Sequence, residues 1–339
     1  MIAAAPLVRV EGLSKSFPVT TGWLRRRIAH ADVVREVSFS IAVGETFALV
    51  GESGSGKSTI ARLLLRLLKQ DRGAVFYRGT DLDGLTDRDL RAWRRHAQIV
   101  FQDPLASLNP RLSVHQALVA PMRLHGLASS EQDSERQAKE LLSRVGLRDE
   151  YLGRYPHELS SGQRQRVSLA RALTVRPEFL VADEILSALD ANVQAQIVNL
   201  LIELKADLGL SYLFISHDLA MVRHLSDRVA VLYAGRIVEI GSTERVFSMP
   251  RHPYTEALLA AAPRVGLKTA RRPRLIEGEP QRLLQGEPPS PLKLPSGCAF
   301  HPRCSLAQEV CRRETPALQR DEREVSAACH VRSSNPVED

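Results

Sequence analysis

The sequence predicts an α/β fold with a largely parallel sheet, and three observations lead to this prediction. Short apolar runs recur along the chain and are separated by segments in which Leu and Ile have helical spacing. A glycine-rich loop, Gly51 to Thr59, lies between one such run and a helical segment. Prolines are frequent after Gly241, and all four cysteines lie between Cys298 and Cys329. We therefore expect an α/β domain with a C-terminal cysteine-containing extension.

Length, composition and charge limit the possible classes of protein. The chain has 339 residues, of which 44% are hydrophobic and 25% are charged, values typical of folded globular domains. No apolar run approaches the roughly 18 residues that cross a bilayer, and the N-terminus shows no secretory signal, so we expect cytoplasmic residence. The net charge is +7, but the arginines are scattered and no aromatic residues are interleaved with them. We therefore expect no nucleic-acid binding.

The first part of the chain indicates strands on both sides of a basic loop. β-Branched residues alternate in Leu7 to Val10 and in Val33 to Ile41, and a loop is expected at Thr20 to Ala31. Glu45 to Val50 is an apolar run that leads into the glycine-rich loop, and helical spacing follows in Thr59 to Leu68. This order predicts an antiparallel β subdomain beside a strand, a loop and a helix.

Four later apolar runs predict buried strands of the parallel sheet. They are Gln98 to Phe101, Glu178 to Ala182, Tyr212 to Ile215 and Arg228 to Tyr233. From about residue 103 to residue 160 the strands stop, and helices expected at Val114 to Leu124 and Ser129 to Val145 predict an inserted helical subdomain. We expect residues 1–245 to form the main domain and residues 246–339 the extension, whose prolines exclude long regular elements.

The segment Gly51 to Thr59 fits the P-loop pattern that binds nucleoside triphosphates. Its glycines let backbone N–H groups face phosphate oxygens, and the N-terminus of the following helix favours an anion. We expect Lys57 to reach the β and γ phosphates and Ser58 to place its hydroxyl on Mg²⁺. The predicted nucleotide contacts of the loop are Ser53, Gly54, Ser55, Gly56, Lys57, Ser58 and Thr59. An incidental glycine-rich turn is the alternative, and the flanking strand and helix argue against it.

Two acidic residues follow the apolar run Phe179 to Ala182. Asp183 is expected to hold Mg²⁺ through water, and Glu184 to orient and deprotonate the attacking water. A single acid at this position could be only a helix cap. Two acids in a chain with a P-loop predict hydrolysis of the nucleoside triphosphate.

With the addition of Leu159 to Gln163, which reads Leu-Ser-Ser-Gly-Gln, these motifs resemble the ABC transporter ATPase family over essentially the whole chain. The resemblance implies ATP as the nucleotide. It also implies that Ser160, Gly162 and Gln163, at the start of an expected helix, face the γ phosphate held by a partner subunit. A helix N-terminus is suited to this role because its first N–H groups lack partners within the helix.

The same resemblance implies roles for residues in other motifs. Gln102 corresponds to a glutamine that senses Mg²⁺ and water, His217 to a histidine that contacts the γ phosphate, and Phe17 to an aromatic residue that stacks on adenine. The catalytic group is then Glu184, His217, Lys57 and Gln102. Ser187 to Asp190 corresponds to the loop that crosses the dimer interface. A structural histidine and a core phenylalanine are the alternatives for His217 and Phe17.

Three further segments resemble the oligopeptide and dipeptide importer branch of the family, most closely its dipeptide-type second ATPase. They are Ser107 to Arg111, Arg154 to His157 and Arg251 to Thr255. The resemblance implies a heterodimer with a second ATPase subunit, two transmembrane permease subunits and an extracytoplasmic peptide-binding protein. It also implies a position on the cytoplasmic face of the inner membrane.

The expected function is ATP hydrolysis that powers the import of dipeptides or oligopeptides. Nickel chelates and peptide antibiotics are the alternative cargoes. A soluble ABC ATPase that acts on ribosomes or DNA is an alternative class, but the chain has one P-loop, one signature and no sustained heptads. A P-loop kinase is another, and it leaves the signature and His217 unexplained.

The four cysteines, Cys298, Cys304, Cys311 and Cys329, are candidate metal ligands because thiolates in a reducing compartment bind metals. Zinc favours tighter Cys-x-x-Cys pairs, whereas four well-separated thiolates can surround an iron–sulfur cluster. The family resemblance implies a 4Fe-4S cluster with a structural role. Zinc and four free buried thiols are the alternatives.

The chain departs from the family pattern at three positions. Ser161 replaces the first of two signature glycines, Ile185 replaces a proline after Glu184, and Leu105 replaces a tyrosine of the peptide branch. None of these changes removes a chemical group that hydrolysis requires. We therefore expect an active rather than a degenerate site.

Overall fold

A computed structural model of the protein describes most of the chain in two compact units. The described residues are 5–21, 26–261, 286–321 and 325–332. The first unit comprises Met1–Asp83 and Ser216–Asp339, and the second comprises Gly84–Ile215. None of the helices in the described ranges has both the length and the apolar character that crossing a membrane requires.

The helices and strands are described in three stretches of the chain. The first part of the first unit forms β1 (Val8–Thr21), β2 (Arg26–Ile41), β3 (Thr46–Val50), α1 (Lys57–Leu64), β4 (Arg72–Tyr77) and β5 (Thr80–Asp81). The second unit forms α2 (Asp87–Trp93), β6 (Ala97–Val100), α3 (Pro104–Ser107), α4 (Val114–Leu124), α5 (Glu131–Arg144), α6 (Ser161–Leu173), β7 (Phe179–Asp183), α7 (Ala191–Leu208) and β8 (Ser211–Ile215). The rest of the first unit forms α8 (Leu219–Leu225), β9 (Arg228–Tyr233), β10 (Arg236–Ser242), α9 (Thr243–Ser248), α10 (Pro253–Ala261), α11 (Glu309–Arg313), β11 (Gln319–Arg320) and β12 (Ser326–Ala327).

The antiparallel sheet of the first unit has the strand order β2-β1-β4-β5. Val8 and Val10 of β1 are buried while Arg9 between them is exposed, as expected for a strand that covers a core with one face. The predicted loop from Thr20 to Ala31 is wrong in extent, because β1 continues to Thr21 and pairs with Arg26 of β2. Backbone pairing thus extends this hairpin into residues that lack a clear apolar alternation.

The first unit also contributes five strands in the order β11-β12-β10-β9-β3. β3 runs parallel to β9, with Phe47 opposite Arg228, and every side chain of β3 is buried, as in a strand covered on both faces. After Ser242 the longest described element, α10, has nine residues, in agreement with the frequent prolines. The C-terminal residues nevertheless form part of this sheet, because β12 pairs with β10, with Ala327 opposite Glu239.

The second unit contains three parallel strands in the order β8-β7-β6. The predicted buried runs agree with these strands to within one residue at each end, because fully buried parallel strands are continuous apolar segments. Helix α4 spans the predicted Val114 to Leu124, and α5 lies within the predicted Ser129 to Val145. The α/β class with parallel and antiparallel sheets is confirmed, whereas the boundary at residues 245 and 246 stays a prediction.

Candidate active site

The glycine-rich loop between β3 and α1 has a backbone that only glycine accommodates. Gly51, Gly54 and Gly56 have φ values of 153°, 78° and 108°. A Cβ atom on Gly51 would lie 2.2 Å from the carbonyl oxygen of Leu232, and one on Gly56 would lie 2.5 Å from that of Val33. Glycine is therefore required in this loop for two reasons. The backbone is left-handed at these positions, and neighbouring backbone atoms lie too close for a side chain at Gly51 and Gly56.

Lys57 is the first residue of α1, and its side chain folds back over the loop. The Nζ atom donates hydrogen bonds to the carbonyl oxygens of Gly51 and Glu52, both at 2.9 Å, and the residue is only 4% exposed. Its ammonium group is thus held at the mouth of the loop, where the charge can meet phosphate oxygens.

The loop residues offer groups that suit a phosphate and a magnesium ion. Helix α1 begins without a side-chain cap, so no hydroxyl or carboxylate competes for its first turn. The Ser55 hydroxyl is buried and has no hydrogen-bond partner among the residues that the structure describes, and a phosphate oxygen would supply one. Ser58 and Thr59 are half-buried in the first turn, whereas Ser53 and Gly54 are exposed. A hydroxyl such as that of Ser58 is an oxygen ligand of the kind that Mg²⁺ prefers.

The two acids lie at the end of β7 in contrasting environments. Asp183 ends a fully buried strand and is 4% exposed, whereas Glu184 is half-buried with a φ of 49°. The Glu184 N–H donates to the carbonyl oxygen of Ile215 at 3.0 Å, and its carbonyl oxygen accepts from the Ser187 N–H and hydroxyl. A left-handed conformation costs a non-glycine residue about 1 kcal/mol or more. These hydrogen bonds hold Glu184 in this strained position.

The signature residues form the N-terminus of α6. The Ser160 Oγ accepts from the Gln163 N–H at 3.3 Å, and the Gln163 Oε1 accepts from the Ser160 N–H at 2.9 Å, which is a capping box. Gln163 Nε2 also donates to the Tyr151 hydroxyl. Gly162 is buried, and a Cβ atom there would lie 2.7 Å from Val193 Cγ1. The glycine is therefore required by packing against α7, while Ser160 remains exposed.

Three predicted site residues lie beyond these motifs. Gln102 follows β6 and His217 follows β8, and both are exposed. Phe17 on β1 is half-buried, with Lys15 Nζ 5.7 Å from the centre of its ring. Partial exposure leaves part of the ring free to contact a planar ligand. The roles predicted for these three residues stay predictions.

The structure divides the predicted site residues between the two units. The first unit contains Phe17, Ser53, Gly54, Ser55, Gly56, Lys57, Ser58, Thr59 and His217. The second unit contains Gln102, Ser160, Gly162, Gln163, Asp183 and Glu184. Within the first unit the loop residues are consecutive, and within the second Asp183 and Glu184 are adjacent. The first unit thus contains the phosphate-binding loop, and the second contains the paired acids and the signature.

The departures from the family pattern are accommodated locally. Ser161 is the first residue of α6 and has a helical backbone, so its Cβ meets no left-handed strain. Ile185 is 2% exposed and is part of the apolar core. The side chain of Leu105 lies outside the described residues.

The prediction of a metal cluster at the four cysteines is wrong. Among the described residues, which include Cys298, Cys304, Cys311 and Cys329, no group of three or more His, Cys, Asp or Glu could hold a metal ion. All four thiols are free. Burial raises the pKa of Cys298 and raises that of Cys304 to about 11.

One contact of the glycine-rich loop is not predicted by any motif in the sequence. The Glu52 N–H donates to the hydroxyl of Tyr254 at 2.9 Å. Tyr254 belongs to the segment Arg251 to Thr255, which in the sequence indicates only the peptide branch. A contact between residues 202 positions apart leaves no local signal in the sequence.

The fold and the site together define a class. A loop that requires glycine, a buried lysine at the start of the next helix and a buried strand that ends in two acids are the parts of a P-loop nucleoside triphosphatase.

Comparison with known proteins narrows this class to a family. The sequence-family model for ABC transporters matches residues 34–187. The family model for the C-terminal region of oligopeptide/dipeptide transporters matches residues 238–311. The chain is 49% identical over 327 residues to a probable peptide ABC transporter ATP-binding protein, y4tS, of Sinorhizobium fredii. This match covers 96% of this chain and 90% of the relative. It is 42% identical to the oligopeptide transport ATP-binding protein AppF of Bacillus subtilis, over 96% of this chain and 98% of the relative. The chain belongs to the ABC transporter family of ATP-binding proteins.

Solved structures agree with this assignment. The ATP-binding cassette MJ0796, in a dimeric post-hydrolysis state bound to ADP and Pi, matches with a TM-score of 0.62 and 27% identity, over 70% of this chain and 98% of that chain. cbiO1 from Clostridium perfringens matches with a TM-score of 0.61 and 26% identity, over 71% of this chain and 90% of that chain. These matches confirm the predicted ATPase fold. Membership of the ABC ATPase family implies binding of ATP and Mg²⁺.

Proposed function

We propose that this chain is the ATP-hydrolysing subunit that powers the import of short peptides through an ABC transporter. The observation that carries the hydrolysis is Glu184, which follows a buried strand and is held by hydrogen bonds in a strained conformation. The peptide cargo is supported by the match to oligopeptide/dipeptide transporters and by relatives named for peptide transport. Dipeptides and oligopeptides are the expected cargo.

In the proposed mechanism, ATP binds along the loop from Gly51 to Thr59. Backbone N–H groups at the start of α1 and the Lys57 ammonium hold the phosphate oxygens, and Phe17 stacks on adenine. Mg²⁺, when bound, neutralises charge on the phosphates. The oxygen atoms that would hold it are those of Ser58 and Gln102, with Asp183 acting through water.

Hydrolysis is the in-line attack of water on the γ phosphorus. The Glu184 carboxylate accepts a proton from the water as its oxygen bonds to phosphorus, and the bond between the γ phosphorus and the bridging oxygen breaks. Lys57 and His217 stabilise the charge that develops on the phosphate oxygens. The products are ADP and inorganic phosphate.

A second ATPase subunit completes the proposed site. Ser160, Gly162 and Gln163 at the N-terminus of α6 face the γ phosphate of the ATP that the partner's loop binds, and the two subunits close on two ATP molecules. The remaining partners are two membrane permease subunits and, through the complex, an extracytoplasmic peptide-binding protein. This arrangement makes the chain part of a heterodimer on the cytoplasmic face of the inner membrane.

The change Glu184→Gln tests the hydrolytic role. We expect ATP binding to persist while ATPase turnover of the assembled transporter falls at least about 100-fold, because the amide cannot accept the proton from water. Glu203→Gln is a matched control, since Glu203 is exposed on α7. Turnover that is unchanged in Glu184→Gln would remove Glu184 from its proposed role.

The cargo is tested by transport into vesicles that contain the reconstituted complex. Labelled dipeptides, longer peptides, a peptide antibiotic and a nickel chelate are offered separately with ATP. We expect ATP-dependent uptake of the peptides, and uptake should stop in Glu184→Gln. Uptake of the nickel chelate alone would reject the peptide assignment without affecting the assignment of the ATPase.

A further inference from the structure

Arg303, from the cysteine-containing segment, forms a two-point ion pair with the second residue of the phosphate-binding loop. Its Nη1 and Nη2 atoms donate to Glu52 Oε2 at 2.8 Å and to Oε1 at 2.9 Å. The Arg303 side chain is 6% exposed, and that of Glu52 is 24% exposed. The hydrogen bonds with Glu52 raise the pKa of Arg303, so its charge is permanent. Paired, bidentate geometry of this kind restricts both partners.

Aromatic residues surround this ion pair and restrict it further. Arg303 Nη1 also donates to the Tyr233 hydroxyl at 3.3 Å, and the Tyr233 ring packs against Tyr254 with centres 4.5 Å apart. The rings of Phe300 and Tyr233 are nearly perpendicular, with their centres 5.2 Å apart. The Tyr254 hydroxyl accepts from the Glu52 N–H at 2.9 Å. The backbone and the carboxylate of Glu52 are therefore both held by residues that follow the ATPase motifs in the chain.

Glu52 in turn organises the phosphate-binding loop. Its carbonyl oxygen accepts from the Ser55 N–H at 3.2 Å and from Lys57 Nζ at 2.9 Å. The first contact closes the turn of the loop, and the second positions the ammonium that the proposed mechanism directs at phosphate. Movement of Glu52 would disturb both contacts. A loop that is ordered before ATP arrives loses less conformational entropy on binding.

We infer that Arg303 and Tyr254 are positioning residues that hold the phosphate-binding loop ready for ATP. The C-terminal segment then contributes to ATP affinity although it touches neither the nucleotide nor the attacking water. This inference rests on the proposed ATP binding of the loop. It also gives the segment between Cys298 and Cys304 a function that requires no metal.

The test measures ATP affinity and steady-state kinetics in Arg303→Ala. We expect the Kd of a fluorescent ATP analogue for the purified full chain to rise about tenfold, equivalent to about 1.4 kcal/mol. In the assembled transporter, KM for ATP should rise similarly while kcat changes less than about twofold, because Arg303 contributes to binding alone. Arg303→Lys keeps the charge but loses the two-point geometry, so its Kd should be intermediate.

Two further variants make the result decisive. Glu52→Gln removes the ion pair with little change in size, and its Kd should rise as in Arg303→Ala, even if Arg303→Ala does not fold. Arg313→Ala is the control, because Arg313 pairs with Glu309 in an exposed part of the same segment and should leave Kd unchanged.

Two outcomes would overturn the inference. One is wild-type affinity in both folded Arg303→Ala and Glu52→Gln, and the other is an equal rise of Kd in Arg313→Ala. A wild-type chain that binds no ATP would instead reject the proposed function. The Tm of each variant is measured by thermal unfolding. A variant that is only less stable has a lower Tm, but the fraction that remains folded keeps the wild-type KM for ATP.

Discussion

The two helix N-termini that are assigned to phosphate differ in how they are built. Helix α1 follows Gly56, which has a φ of 108°, and no side chain caps its first turn. Helix α6 follows Ser160, which has a φ of −66° and forms a complete capping box with Gln163. The first terminus is shaped by glycine and by Lys57, which is buried, whereas Ser160 is exposed.

This difference indicates two ways of binding a phosphate. At α1 the backbone N–H groups and the ammonium can face the anion directly, because the N-cap residue Gly56 has no side chain that caps the helix. At α6 the Ser160 Oγ already accepts from the Gln163 N–H, but its own O–H hydrogen remains available to donate. In the proposed mechanism, the first terminus binds ATP by itself, and the second contacts the γ phosphate of an ATP that another subunit binds.

The largest expected effect comes from Lys57→Ala at the first terminus. We expect the Kd for ATP to rise about 100-fold, equivalent to about 2.7 kcal/mol, because a charge-assisted contact with phosphate is lost. Equilibrium titration of the purified chain measures this change. The control is Lys139→Ala, since Lys139 pairs with Glu135 on the exposed surface of α5. Equal affinities of the two variants would contradict the assignment of α1 as the primary ATP site.

A smaller effect is expected from Ser160→Ala at the second terminus, and the chain offers a matched control. Ser113 forms the same capping box with Gln116 at the start of α4. Both serine-to-alanine changes should lower the free energy of unfolding by about 1 kcal/mol, because each removes a cap.

The two serine variants should differ in activity. We expect Ser160→Ala to lower the ATPase rate of the assembled transporter about tenfold, equivalent to about 1.4 kcal/mol, and Ser113→Ala to leave it unchanged. Neither variant should alter ATP binding to the isolated chain. Equal ATPase rates in the two variants would show that Ser160 acts only as a helix cap and has no role in hydrolysis.

The smallest effect is expected from Ser161→Gly, which restores the usual signature residue. Ser161 is exposed and helical, so the change should lower the free energy of unfolding by at most about 1 kcal/mol and keep the ATPase rate within about twofold. Chemical denaturation and a turnover assay measure the two quantities. A severalfold gain in turnover would show that the serine side chain impairs the signature.

Much of the fold could be predicted because its signals are local. The buried strands are continuous apolar runs, and Arg228 to Tyr233 was predicted with both ends correct. The loop glycines were informative because each has a conformation or a close contact that excludes a side chain. The hairpin of β1 and β2 was underestimated, because the pairing of Thr21 with Arg26 depends on the partner strand and not on an apolar alternation.

The cysteines show that residue type and spacing are insufficient to predict a metal site. Four thiols near the C-terminus and a family resemblance predicted an iron–sulfur cluster, but metal binding requires thiolates that converge on one point. The described residues contain no such group. The position of a ligand set is a property of the folded chain.

By itself, the sequence determined the α/β class, the phosphate-binding loop, the paired acids and the signature, because each depends on residues that are adjacent or nearly adjacent in the chain. Only the tertiary structure decided that β12 pairs with β10 and that Arg303 pairs with Glu52 across 251 positions. Such contacts form when distant segments pack together, and the spacing of residues along the chain does not encode them. The same loop was thus identified by its local sequence and is held in place by residues far from it.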